Sequence, residues 1–201
     1  PETGEVFEVP DGVAHFLEHL FFKGTAKHPA KEFDTILESK GAITNAATSN
    51  DYTFYQENIP SNQLENWAKI QADRFSNPVL RLFHTELETI YEEKNMSLTK
   101  DYRKVNEAML KALFPSHPYG QQTTLGEAEH LRNPSLKNIK EFHSQYYVPN
   151  NYCIAMSGDF DPDKAIKIID KYFGGLKAVE VPKLEFKAEK EITKVKEIEV
   201  K

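Results

Sequence analysis

The sequence contains a single cysteine, Cys153, among 201 residues. That excludes an intrachain disulfide framework and a cysteine-rich zinc site. It has no run near the ~20 apolar residues that cross a bilayer, so no membrane span is expected in it. It also lacks an excess of basic charge: 25 Lys and Arg stand against 31 Asp and Glu, a net charge of −6. Nucleic-acid phosphates are bound by basic surfaces, so no nucleic-acid partner is expected. No Met opens the chain, and no charged-then-apolar leader comes after Pro1. Glu191 to Lys201 reads as a strand stopped in mid-run. The chain is therefore expected to be a piece of something longer, with any targeting signal outside it. The compartment stays open; a soluble protein of a bacterial cytoplasm or periplasm is the working expectation.

What is present is an ordinary folded composition, 39% hydrophobic and 28% charged. Gly12–Phe22 and Ala30–Ser39 have helical spacing, the second with Phe33, Ile36 and Leu37 inward and Gly41 as its stop. Ala42–Ser49 and Tyr52–Ile59 read as strands around an Asn50-Asp51 turn. Ser61 is a candidate cap for a helix to Ser76. Thr85–Phe114 reads as one long helix, Tyr119-Gly120 opens a loop, and Pro134-Ser135 starts a helix through Tyr147. Tyr152–Ser157 reads as a short buried strand that would make Cys153 an inert thiol. Asp161-Pro162 opens a last helix to Phe173, and Val179–Lys190 reads as a linker. Helices and antiparallel strands mix without a βαβ rhythm, so the expected class is α+β. The expected domains are 1–178, a zinc-bearing module, and 179–201, a linker with the start of a following strand or module.

The informative segment is His15-Phe16-Leu17-Glu18-His19. At about 100° per residue, His19 lies about 40° from His15 and Glu18 about 60° to the other side. The three polar side chains share one arc, and Val13, Phe16, Leu17 and Leu20 cover the opposite one. Imidazoles at i and i+4 can both reach one metal ion. A carboxylate one turn from the first can take a proton from water beside that ion without ligating it. H-x-x-E-H is the inverted zinc-peptidase motif.

Such a site needs a third protein ligand. The acidic candidates are Glu86, Glu88, Glu92 and Glu93. A helix face centred on Glu93 carries Ile90, Met96 and Glu86, whereas one centred on Glu92 carries Thr85, Glu88, Asn95 and Thr99. A carboxylate on an otherwise apolar face needs a partner, which a metal would supply. Glu93 is therefore the expected ligand, and Glu86, two turns before it, an auxiliary group.

The stretch Gly12-Val13-Ala14-His15-Phe16-Leu17-Glu18-His19-Leu20-Phe21-Phe22-Lys23-Gly24-Thr25 resembles the pitrilysin family of zinc peptidases, which includes insulin-degrading enzyme and mitochondrial processing peptidase. The spacing to Glu93 and Glu86, Gly41–Tyr55 with Asn45-Ala46-Ala47-Thr48-Ser49, Tyr119-Gly120, and Phe142 through Asp159 are similar too. The resemblance covers about residues 1–175. It implies a two-layer α+β module, a mainly antiparallel sheet packed with helices, that binds one Zn²⁺ through His15, His19 and Glu93. It implies Glu18 as catalytic base with Glu86 assisting, and Asn45, Ala46 and Phe22 as substrate-binding residues, the strand at Asn45 and Ala46 pairing with a peptide backbone. Ala47 departs from relatives with an aromatic there, and the family's leading strand would precede Pro1. The implied partners are a peptide substrate and a further homologous module or subunit that closes a chamber. The expected activity is zinc-dependent endopeptidase, weak or absent in this piece alone. The alternatives are a non-catalytic structural or substrate-holding subunit and a metal-binding module without hydrolysis. His28, His84, His117, His130 and His143 lack partner spacing and read as surface or capping residues.

Overall fold

The computed structural model describes residues 12–126, 135–186 and 188–200, without the side chains of 31, 33 and 34. The inward position expected for Phe33, and the roles expected for His130 and Pro134, lie outside the described residues. Among the described residues, eight α-helices and one hairpin run in the order α1 (Val13–Phe21), α2 (Ala30–Glu38), β1 (Ile43–Thr48), β2 (Thr53–Asn58), α3 (Leu64–Ser76), α4 (Phe83–Leu98), α5 (Asp101–Leu113), α6 (Pro118–Gln121), α7 (Leu136–Tyr146) and α8 (Pro162–Phe173). This is an α+β fold.

Helix α1 is the centre. It starts after Gly12, whose φ of 82° is left-handed and where a Cβ would come within 2.9 Å of the Leu125 carbonyl. Its back, Val13, Phe16, Leu17, Leu20 and Phe21, is buried against Ile90 of α4 and Ile139 of α7, with Tyr55, Phe75 and Tyr147 packed around it. Each such side chain contributes about 1.5–3 kcal/mol by leaving water. A smaller core of Leu37, Ala42 and Ile70 joins α2 to α3.

The hairpin pairs Asn45 with Gln56, Ala46 with Tyr55 and Thr48 with Thr53. The Ser49 amide donates to the Tyr52 carbonyl, which makes this pair hydrogen-bonded. Ladder bonds alternate, so the amides of Thr44, Ala46 and Thr48 point away from β2, to the free edge of β1. The side chains of Thr44, Ala46 and Thr48 are half-buried while Ile43, Asn45 and Ala47 are exposed.

Several expectations are corrected. The long helix is two, because Ser97 and Thr99 hydroxyls donate to the carbonyls of Lys94 and Met96 and close α4. Lys100 is then extended and Asp101 opens α5. Residues Ser61–Gln63 form a 3₁₀ turn without a side-chain cap, and Tyr119-Gly120 lies within the short α6. Tyr152–Ser157 forms no strand, since no described strand lies beside it to pair with. Cys153 is consequently exposed, not buried. A cavity of about 2050 Å³ opens between this segment and β2. Residues 191–200 likewise form no strand, for the same want of a partner. Asp161 does cap α8, accepting from the amides of Asp163 and Lys164. Among the described residues no helix is long and apolar enough to cross a membrane.

Candidate metal centre

Two helices position the site. The apolar back of α1 fixes its rotation, and the polar arc then faces α4. Ile90, fully buried against α1, sets the depth of α4. Glu93 is one turn further along and Glu86 one turn before.

Both imidazoles converge on one carboxylate oxygen. His15 Nε2 and His19 Nε2 each lie 3.7 Å from Glu93 Oε2. One donor atom from each of the three residues falls within 4.8 Å of the others. Bonds of about 2.1 Å in a tetrahedral zinc site put donors about 3.4 Å apart, so this set needs only a small contraction to hold the ion. The donor chemistry, two imidazoles and a carboxylate, is that of catalytic zinc sites. His15 Nδ1 is buried without a hydrogen-bond partner. Burial, and secondarily the neighbouring His19, push the His15 pKa down to about 4, so its ring is neutral at pH 7 with a lone pair to give.

The remaining nitrogen of His19, Nδ1, lies 3.4 Å from Glu86 Oε2. Lys23 Nζ holds the other oxygen of that carboxylate at 2.9 Å. A proton on Nδ1 donated to Glu86 leaves the Nε2 lone pair facing Glu93, the usual outer partner of a ligating imidazole. Glu86 is buried and reaches the centre through His19.

Glu18 is buried at 7% exposure, on the same arc as the imidazoles. Thr48 Oγ1 donates to its Oε2 at 2.5 Å. Burial raises the Glu18 pKa above the ordinary carboxylate value, the Thr48 bond and His19 opposing, and Glu93 adding to, the shift.

Glu93 itself is half-exposed, not sunk in an apolar face. Met96, expected beside it, is 58% exposed; the packed stripe is Glu86, Ile90, Lys94 and Ser97, with Lys94 facing Glu107. Glu92, by contrast, is on the solvent side. Asn45 and Ala46 lie on the free edge of β1, where the Ala46 amide donates to the Asn45 side chain. Phe22 stands apart from the donor triad, its ring 4.8 Å from the Arg74 guanidinium. The sequence reading missed Lys23 and Thr48. Lys23 sits at i+4 from His19, on the same arc, and that spacing could have found it.

Comparison with known proteins gives a consistent set of relatives. The profile of the insulinase family, peptidase family M16, matches residues 2–126, and that of the peptidase M16 inactive domain matches residues 134–201. The chain is 31% identical over 205 residues to the uncharacterized zinc protease YmxG of Bacillus subtilis, covering 98% of this chain and 49% of that protein. It is 29% identical to the mitochondrial-processing peptidase subunit beta of Dictyostelium discoideum, over 90% of this chain and 40% of that one. A crystal structure of a protease from Helicobacter pylori superposes with a TM-score of 0.73 at 31% identity, over 92% of this chain and 46% of that chain. The chain thus spans less than half the length of these relatives.

Proposed function

The chain belongs to the insulinase family of peptidases, family M16, and from that premise we propose that it is the zinc-bearing part of an endopeptidase acting on peptides or unfolded segments. The observation that carries the proposal is the meeting of two Nε2 atoms and one carboxylate oxygen beside a buried glutamate. His15, His19 and Glu93 would hold the ion. Zinc, when bound, supplies a Lewis acid that makes water more acidic and polarises the scissile carbonyl.

The chain's own residues do the rest. Glu18 takes the proton of the attacking water and passes it to the leaving amine. Glu86 orients His19 through Nδ1, and Lys23 holds Glu86. The outward amide and carbonyl of Ala46 offer a peptide backbone two hydrogen bonds on the β1 edge, with Asn45 turning aside its own side chain to admit them. Phe22, at the end of α1, is assigned to the substrate side on the family likeness alone. Residues 1–178 form the module, and 179–201 form a linker toward a following module. That division is supported by α8 packing on α3 through Lys171 and Glu65 and by the lack of regular structure in residues 177–186 and 188–200. A further homologous module or subunit would wall the open side of the cleft and hold the peptide in attack geometry.

Metal analysis and peptide hydrolysis on single variants test this. His15→Ala and Glu93→Gln should lose zinc, and Glu92→Gln should keep it. Glu18→Gln should keep zinc and lose turnover by about 10²–10⁴-fold in the protein at its natural length. No zinc in the wild type would mean a structural subunit, and zinc without turnover a binding module. The 201-residue chain alone should bind zinc and cleave poorly, gaining activity when the remaining part is added.

A further inference from the structure

The carboxylate of Glu18 is the end of a line of hydroxyl groups that the metal centre does not explain. Thr48 Oγ1 lies 2.5 Å from Glu18 Oε2, and Thr53 Oγ1 lies 3.2 Å from Thr48 Oγ1. Beyond Thr53, the Tyr147 hydroxyl lies 3.5 Å from that of Tyr55. Each hydroxyl has one proton to give. Thr48 gives its proton to Glu18, so Thr53 must donate to Thr48. The pair of threonine hydroxyls therefore runs one way, Thr53 polarising Thr48, and it ends on the carboxylate. Among the described residues the other oxygen of Glu18, Oε1, has no hydrogen-bond partner.

We propose that Thr48, backed by Thr53, is a positioning residue for Glu18: it pins Oε2 and so leaves Oε1 as the oxygen that exchanges the proton. The role presupposes Glu18 as the base, as proposed above. The anchor is rigid because Thr48 and Thr53 are directly paired across the hairpin. A carboxylate held by one oxygen has a single rotamer to present, whereas a free one samples several. Misplacement of a reacting group by ~1 Å can cost ~10²-fold.

The test compares Thr48→Val and Thr48→Ser in the zinc-loaded protein at its natural length, with Thr48→Ala read the same way if the valine variant fails to fold. The valine variant should lose about 10–100-fold in kcat with KM and zinc content unchanged, and serine should restore most of the loss. A second readout needs no activity. Thr48→Val should lower the melting temperature more in the Glu18 background than in Glu18→Ala, since only a buried carboxylate misses the donor. Unchanged kcat, no rescue by serine, or equal melting shifts in the two backgrounds would overturn the role of Thr48. Activity that survives Glu18→Gln would instead overturn the assignment of Glu18 as base, a separate outcome.

Discussion

The α1–α4 contact and the far side of β2 are both crowded with groups that need partners, and they meet that need differently. Between the helices, His15, His19, Glu86, Glu93 and Lys23 form a connected set in which no link exceeds 3.7 Å. Across the hairpin, Tyr152–Ser157 runs without regular structure along a large cavity and pairs with no described strand. A helix satisfies its own backbone, so two of them can carry a finished site wherever their apolar faces lock. A strand is finished only by a neighbour, so its order depends on chain placed beside it.

Core substitutions give the widest test of that difference. Leu17→Ala, at a fully buried position on the back of α1, should cost about 2–5 kcal/mol in urea denaturation. Ile154→Ala, 40% exposed in the unpaired segment, should stay within about 0.5 kcal/mol. Equal costs would erase the contrast. Next in size is Glu86→Gln, which removes the carboxylate behind His19. Zinc affinity, measured by chelator competition, should fall by about 10–100-fold, while the fold is kept.

A smaller effect reads the strand side directly. Cys153 should react with a thiol reagent in the native 201-residue chain at close to the rate of the unfolded chain. Strong protection would mean that something covers the segment. The finest effect concerns His143, half-buried behind α1 beside the rings of Phe21 and Tyr147. Burial lowers its pKa, so below ~6.5 the unfolded chain takes a proton that the native one refuses. The protein should hold its stability above that pH and lose some as pH falls. His143→Phe should flatten the acid side of a melting-temperature profile.

Much of the helical side was legible in the sequence. The spacing of Val13, Phe16, Leu17 and Leu20 sets which arc of α1 is free, whereas the apolar face expected around Glu93 on α4 is not there, Glu93 being half-exposed. The stripe itself was partly misread, because Lys94 and Ser97 are buried where Met96 was expected. Periodicity cannot see that Lys94 finds Glu107 on the next helix. Nor can it see the break at Thr99-Lys100, where side-chain hydroxyls capture the last carbonyls without a Pro or Gly to mark the spot. Thr48 and Thr53 were invisible for a different reason. Their hydroxyls reach Glu18 only through hairpin register and the packing of that hairpin on α1, both products of distant contacts. Cys153 was misplaced because an apolar run says strand and says nothing of whether a neighbour comes.

The turn at Asn50-Asp51 looks like the kind of surface tip where chains tolerate insertions. Here it does not have that freedom. Adding one residue would slide β1 against β2 by one position, and side chains alternate faces with a period of two. In the slip that brings Ala47 to the place of Thr48, the half-buried and exposed rows of the strand exchange and no hydroxyl is left there. A loop graft that slides the register in that direction would thus strip the hydroxyl from Glu18 without touching His15, His19 or Glu93. In loop exchange between homologous chains, the length of this turn is a constraint on the contact between Thr48 and Glu18.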